Sequence, residues 1–476
     1  MKRRKFFHIT SVSVAGLGLA ASCSNGKTPA DTKRGGGQVI KEIPGYRKNV
    51  NSELPKDNQK SANDTVVLAL IGAGAHGINL TLQAAKLNEN IRFKYICDVD
   101  DTRGGLAISE LKKMQGFEPV RTRDMRKVFD DKEIDGVIIA TPGQWHALAT
   151  VWACQAGKDV YVEKAISLSI HEGQQMALAA QKYGRVVQCG TQNRSAEYAF
   201  SARDYIKNGG LGDITAVHVR GLLNGPVPFN EKEDSAAPET IDWDMWLGPA
   251  PKVPYNLSRN KSWYYYWDYG VGLAMEDMSH QVDLARLVLG NPGLPKSVYC
   301  AGGRYFFNDN RETPDYQMAT CDFGDYVMTL QAGECAPYME KSGPGVRFTE
   351  NFPEWGQNAT RIEILGTKRM MYIGRMGGGW QVQDKGGEIV AQEPGLYSLA
   401  PHLKNYIDCI RTREQANGGI AEGHKSSVLI HLANLSYRAG NKQILFSPEY
   451  EAVLNDSKVQ ELAGRGYRKG FELPEV

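Results

Sequence analysis

Glu163-Lys164 closes a short apolar run, Asp159-Val160-Tyr161-Val162, and a lysine in that place has a definite chemistry. At the carboxyl end of a buried strand its amine can hold a hydroxyl oxygen and help move the proton. A second group lies in Met275-Glu276-Asp277-Met278-Ser279-His280-Gln281-Val282-Asp283. On a helix, Glu276 stands four residues before His280 and Asp283 three after it, so either acid can orient the imidazole and stabilise its charged form. Histidine is the commonest general base near neutral pH. Asp277 and Asp283 are further candidates for substrate contacts. A histidine among carboxylates can also hold a divalent ion, but no second histidine stands at ligand spacing, so no metal is expected.

The segment Val66 to Asp98 says what such a pair would work beside. Val66-Val67-Leu68-Ala69-Leu70-Ile71 is a continuous apolar run, as in a strand buried on both faces, and Gly72-Ala73-Gly74-Ala75-His76-Gly77 follows at once. Gly72 permits the tight turn, Gly74 lets backbone approach a pyrophosphate, and Gly77 lets the helix pack close to the strand. The pyrophosphate is expected on the helix N-terminus, where free N–H groups and the dipole favour an anion. Ile91 to Cys97 reads as the second strand, and Asp98, 21 positions after Gly77, is placed to accept from the adenine ribose hydroxyls. A 2′-phosphate there would meet a like charge, so NAD is expected rather than NADP.

Two stretches could bind the second reactant. Ser262-Trp263-Tyr264-Tyr265-Tyr266-Trp267-Asp268-Tyr269 and Ile241-Asp242-Trp243-Asp244-Met245-Trp246 are aromatic with interspersed acids. That composition suits stacking on sugar rings while carboxylates take the hydroxyls, with Tyr264 and Trp267 as candidate contacts; it equally suits a plain core or an oligomer interface. Gln192 and Asn193, just after the strand-like Val186-Val187-Gln188-Cys189, are further candidates for the substrate.

The elements that must position these residues follow from the βα rhythm. Helix is expected over 102–115, 145–156 and 170–183, and strand over 134–140, 159–162 and 186–189. This alternation implies a parallel doubly wound sheet whose ligands bind beyond the strand carboxyl ends. Thr141, Glu163, Lys164 and Gln192 all fall there. After about residue 190 a helix (195–208) and alternating strands at 215–222, 316–323 and 326–331 point to a second, mostly antiparallel sheet. Long irregular stretches at 224–262 and 333–360 are of the length often used for function. Two late helices are expected at 399–412 and 423–438.

Composition narrows the class. The chain is 42% apolar and 23% charged with a net charge of +2, and no long basic run in its body points to nucleic acid. No segment after the N-terminus reaches the roughly 20 apolar residues of a membrane span. The start, Met1-Lys2-Arg3-Arg4-Lys5, carries twin arginines before a short apolar stretch, and Leu19-Ala20-Ala21-Ser22-Cys23 resembles a lipoprotein cleavage site with Cys23 lipidated. Residues 1–23 are therefore expected to be an export signal and 24–63 a flexible tether, giving a periplasmic or membrane-anchored protein. NAD is scarce outside the cytoplasm, but the twin-arginine route carries folded proteins. A cofactor loaded inside would travel with the fold and be recycled in place. Seven cysteines remain after Cys23, none at CxxC spacing; most read as buried thiols, with one disulfide open among Cys300, Cys321 and Cys335.

With these residues in hand, the chain resembles the Gfo/Idh/MocA oxidoreductases over about residues 64 to 450. The resemblance is carried by Gly72 to Gly77, by Ala140-Thr141-Pro142-Gly143-Gln144-Trp145-His146, by Val162-Glu163-Lys164 and by the segment ending in His280. It implies an N-terminal Rossmann domain (64–190), an α/β domain with an open, mostly antiparallel sheet that often builds a dimer or tetramer interface (191–400), and C-terminal helices and tail returning to the first domain (401–476). It implies Lys164 and His280 as the catalytic pair with Glu276, where the family more often has aspartate. It also implies NAD contacts at Gly72, Gly74, Ala75, His76, Gly77, Asp98, Thr141, Pro142, His146, Glu163 and Lys164. The family's Glu-Lys-Pro is Glu163-Lys164-Ala165 here, which should alter the turn beyond the lysine. The function implied is oxidation of a sugar or glycoside ring hydroxyl, at C3 in the first instance. Two alternatives stand beside it: an NAD-dependent glycosidase working by transient oxidation, elimination and re-reduction, and a non-catalytic sugar-binding lipoprotein with structural NAD.

Overall fold

The computed structural model describes residues 60–61, 64–87, 90–225 and 229–476. The export segment with Cys23, and nearly all of the tether, lie outside the described residues. The first domain runs β1 (Val66–Ile71), α1 (Ala75–Ala85), β2 (Ile91–Cys97), α2 (Gly105–Gln115), β3 (Val120–Thr122), α3 (Met125–Asp130), β4 (Gly136–Ile139), α4 (His146–Gln155), β5 (Asp159–Val162), α5 (Ile170–Lys182) and β6 (Val187–Cys189). Its six strands are all parallel, in the order β3-β2-β1-β4-β5-β6. Every residue of β1, β4 and β5 is buried, which is what a strand covered by helices on both faces requires. The strand order reverses between β1 and β4, so a crevice opens there beyond the strand ends.

The chain continues with α6 (Glu197–Lys207), β7 (Ile214–Leu222), α7 (Trp243–Leu247), α8 (Leu257–Lys261), α9 (Leu273–Val288), β8 (Ser297–Gly303), β9 (Tyr316–Asp322), β10 (Val327–Gly333), α10 (Pro344–Arg347), β11 (Arg361–Gly366), β12 (Met370–Gly374), β13 (Trp380–Gln383) and β14 (Ile389–Glu393). It ends with α11 (Leu399–Thr412), α12 (Ile420–Arg438), β15 (Ile444–Ser447), β16 (Ala452–Val453) and α13 (Ser457–Leu462). The second sheet has ten strands in the order β14-β13-β12-β11-β7-β10-β9-β8-β15-β16. It is antiparallel except where β7 lies parallel to β10. One face is buried under α6, α9 and α12, with Val217, Val219, Met328, Leu330, Ile362 and Ile364 in a single core.

The late helices divide their allegiance. α11 packs Leu399, Leu403, Tyr406 and Ile410 onto β1 and β4 of the first sheet, and Leu473 and Phe471 of the tail pack beside Trp145. α12 packs on the first domain as well, with Ile420 in its core and His431 Nε2 3.0 Å from Ser167 Oγ. It is buried on almost every side and also joins the core of the second sheet, its buried polar side chains taking partners such as Glu451 for His424 and Gln317 for Asn434. The seven described cysteines are free, so the disulfide among Cys300, Cys321 and Cys335 does not form; Cys300 and Cys321 are simply core residues. Among the described residues no helix is long and apolar enough to cross a membrane.

Candidate active site

A cleft of about 290 Å³ lies at the switch point between β1 and β4, lined by Gly72, Gly74, Ala75, His76, Gly77, Asp98, Thr141 and Pro142. Gly72 and Gly77 admit nothing larger. Gly72 has φ +93°, and a Cβ on Gly77 would stand 2.1 Å from the Gly72 carbonyl oxygen. Asp98 accepts from the Ala73 N–H at 2.7 Å and the Asp100 N–H at 2.9 Å, which fixes its carboxylate against the loop. Burial pushes its pKa up, and those N–H groups and Arg103 offset part of the rise. The lining also holds two buried side-chain oxygens with no hydrogen-bond partner, Thr141 Oγ1 and Asn260 Oδ1. A glycine cradle, a fixed carboxylate and unpartnered polar atoms fit a dinucleotide.

The outer wall comes from the irregular stretch before and through α8, as Trp246, Asn260, Lys261 and Trp263. This strap is tied to the first domain by backbone bonds, Asp101 N–H to Thr240 O at 2.9 Å and Asp242 N–H to Val99 O at 2.9 Å. Arg103, which sequence reasoning missed, reaches over Gly74, with Nη1 3.2 Å from where a Cβ would be.

The Lys164 turn is held from several sides. Glu163 pairs with His76 Nε2 at 3.0 Å. Glu163 in turn raises the His76 pKa, and the pairing outweighs burial to keep Glu163 low. The His146 ring nitrogens meet the Ala165 carbonyl at 2.7 Å and the Thr141 carbonyl at 2.8 Å. His146 is 1% exposed and absent from the cleft wall, so it ties the two strand-end turns together and is not placed to touch a dinucleotide. Glu276 likewise departs from expectation. Its Oε2 accepts from the Ala165 N–H and its Oε1 from the Val271 N–H, each at 3.1 Å, and it does not bond the His280 ring. The alanine that replaces proline supplies the N–H that this glutamate takes, and the Lys164–Ala165 peptide is cis.

His280 is buried in α9, with Nδ1 unpartnered. Burial first, then the charges of Arg375 and Lys164, push its pKa well down, so the imidazole is neutral. Asp277, one turn away, accepts from Lys341 Nζ at 2.7 Å, Arg375 Nη2 at 3.4 Å and Gln281 Nε2 at 3.1 Å. Burial opposes its ionisation, but Arg375 and Lys341 outweigh burial and hold the carboxyl far below the ordinary range. Lys341 and Arg375 come from segments 64 and 98 residues away, which is why spacing could not find them; only the length of the 333–360 stretch hinted at the first.

Other candidates fall outside the site. Asp283 is 0% exposed, bound by Arg194 Nε at 2.9 and 2.8 Å and by Ser426 Oγ, so it is a buried structural charge. Trp267 lies under the Arg438 guanidinium and faces a groove with Leu168, away from the cofactor cleft. Tyr265, Tyr266 and Tyr269 are buried with Phe229, Trp246 and Leu247, so most of the aromatic run is core. Tyr264 stands behind Trp263, ring against ring, and Trp263 is the residue that lines the cleft. Gln192 is buried beside Tyr161, whose pKa burial pushes well up. Asn193 donates to the Tyr198 hydroxyl and to the Arg375 carbonyl, so it positions Arg375 from behind.

The comparisons agree with this geometry. Residues 66–191 match a family model described as an oxidoreductase family, NAD-binding Rossmann fold, and residues 227–300 match its C-terminal alpha/beta domain. An uncharacterized oxidoreductase, YrbE, of Bacillus subtilis is 28% identical over 303 residues, 64% of this chain and 72% of that protein. A glycosyl hydrolase family 109 protein of Shewanella putrefaciens is 32% identical over 144 residues, 28% of this chain, and the match spans only 31% of that relative's length. Among solved structures, an aldose-aldose oxidoreductase from Caulobacter crescentus superposes with a TM-score of 0.59 at 17% identity, covering 80% of this chain and 100% of that one. At that identity the likeness is one of fold.

Proposed function

The chain belongs to the Gfo/Idh/MocA oxidoreductases, and on that premise we propose that it oxidises a ring hydroxyl of a sugar or glycoside, at C3 in the first instance, beside an NAD it does not release. The observation that carries this reading is that α9, which bears the buried His280 with its Nδ1 unpartnered, is bonded through Glu276 to the turn of Lys164, whose neighbour Glu163 pairs with His76 in the cleft wall. Gly72, Gly74, Asp98 and Thr141 would hold the cofactor. When bound, NAD would supply the acceptor for the hydride leaving the ring carbon and, being retained, the donor that returns it to a carbonyl of the same or a second sugar, so that the cycle closes.

The chain's own residues do the rest. Among the described residues no side chain pairs with Lys164 Nζ, so it is free to hold the hydroxyl oxygen as charge develops. His280 takes the hydroxyl proton at its imidazole, whose buried Nδ1 has no partner. Glu276 and His146 fix the turn that aims Lys164. Asp277 keeps Lys341 and Arg375 against α9.

Retention is supported by the strap of residues 239–263 bonded over the cleft and by the twin-arginine start. Export, lipidation at Cys23 and assembly into a homo-oligomer are part of the same proposal. The glycosidase reading draws on the glycosyl hydrolase relative. There, oxidation acidifies the neighbouring C–H, the glycosidic bond is eliminated, and the ketone is reduced back. Product analysis separates the two: a ketoglycoside supports the dehydrogenase, a released aglycone the glycosidase. A non-catalytic binding protein would turn over neither, and its sugar binding would not respond to changes at Lys164 or His280.

A further inference from the structure

Lys164, Lys341, Arg347 and Arg375 lie within electrostatic reach of Asp277 or of one another. Glu163 is already paired with His76. That leaves Asp277 as the carboxylate facing Lys341 and Arg375, with Lys164 and Arg347 close enough to act on the same groups. The fit to Asp277 is lopsided: Lys341 bonds it end-on at 2.7 Å, while Arg375 meets it through one nitrogen at 3.4 Å. A guanidinium carries five donors in a planar fork suited to two oxygens of one anion, and here most of that fork is unspent on Asp277.

Arg375 is also firmly placed. It is 8% exposed, it follows β12 directly, and its carbonyl is held by Asn193 Nδ2 at 2.8 Å. Lys341 is the accessible partner, with 34% of its side chain exposed at the rim. Gathering these like charges beside an oxidation site costs free energy through mutual repulsion, which an incoming anion relieves.

We propose that the substrate carries an anionic group, a carboxylate or a phosphate, which seats between Arg375 and Lys341 while the hydroxyl to be oxidised lies against Lys164 and His280. The protein then acts on acidic sugars. This rests on the oxidoreductase reading above and narrows it. The anion would be taken in bidentate fashion by Arg375 and steadied by Lys341, and selectivity would come from the donors of these two cations that Asp277 leaves unused and a neutral sugar cannot match.

The test uses the full-length protein with its bound NAD and three probes: methyl glucuronide, glucose 6-phosphate and methyl glucoside. Reduction of the bound NAD is followed in single turnovers by the reduced-nicotinamide band, with its rate constant and half-saturation concentration read as kcat and KM, and binding is followed by titration calorimetry. One of the two acidic probes should exceed the neutral glycoside in kcat/KM by at least about tenfold. Its KM should rise with added sodium chloride, because screening weakens the contact. Which acidic probe wins distinguishes carboxylate from phosphate. Lys341→Met should shrink the acidic-to-neutral ratio of kcat/KM by about tenfold or more, mainly through KM. Arg375→Lys, which keeps charge but loses the fork, should shrink it less than Arg375→Met. Equal or better kcat/KM for the neutral glycoside, or an unchanged ratio in Lys341→Met, overturns the proposal. If no probe is oxidised but an acidic one binds and Lys341→Met abolishes that binding, the anion seat stands and the oxidoreductase reading falls. If neither acidic probe binds in preference to the neutral one, the seat is wrong.

Discussion

Lys164 and His280 should fail in the same reaction but for different reasons. Lys164→Ala removes the amine that holds developing negative charge, and His280→Ala removes the proton acceptor. Each should lower kcat by about 10²–10⁴-fold, with the bound cofactor and circular dichroism unchanged. Glu276 has a different part, because its two oxygens satisfy the Ala165 and Val271 N–H groups. Glu276→Ala leaves two buried donors unpaired and should cost about 2–4 kcal/mol in thermal unfolding, with a fall in kcat as the Lys164 turn loosens. Glu276→Gln keeps one acceptor and should recover part of both. At this scale the sequence placed Glu163 and Lys164 beyond a strand end and His280 within a helix, as the structure has them, and the roles of Lys164 and His280 are what the two substitutions test. The sequence misassigned Glu276 and Asp283, because helical spacing shows which residues can meet and not which neighbours from other elements reach them first. Arg194 and Ser426 claim Asp283, and a backbone turn claims Glu276.

The glycine loop and the strap of residues 239–263 make the cofactor cleft a property of elements. β1, the loop and α1 were legible because a buried parallel strand and a G-x-G-x-x-G turn leave local marks. The strap was visible only as an irregular stretch of suggestive length, since its bonds to Val99 and Asp101 join distant parts of the chain. The same holds for the second sheet, where β11–β14 and the parallel β7–β10 pair are fixed by long-range pairing rather than by local pattern. Gly77→Ala would drive a methyl into the Gly72 carbonyl, 2.1 Å away, and so displace the loop that cradles the pyrophosphate. That variant should be purified with little or no NAD, as read by cofactor release on denaturation. A variant retaining a full complement would contradict the role given to the loop.

Across the whole molecule, buried histidines couple stability to pH. Burial lowers the His402 pKa from 6.5 to about 4 and the His431 pKa from 6.5 to about 3, and it pushes His280 down as well. The unfolded chain binds protons below about 6.5 that the folded chain refuses until near 4 or 3, so stability is full above that range and falls on acidification through it. His402 alone contributes on the order of 3 kcal/mol to that fall. Urea midpoints from pH 7.5 to 4.5 should decline, and His402→Gln should flatten the decline; a midpoint independent of pH would contradict the assignment. Export, by contrast, is proposed from the N-terminal residues alone, and it would require NAD to travel inside the fold. The near-ultraviolet spectrum of the mature protein tests this most directly, recorded before and after adding a pool of neutral and acidic glycosides with no cofactor supplied. A reduced-nicotinamide band that appears or changes is the result expected of a sugar oxidoreductase with captive NAD. Absence of the band in both samples, with added NAD restoring it, would contradict retention, and no response even to added NAD would contradict oxidation of these sugars.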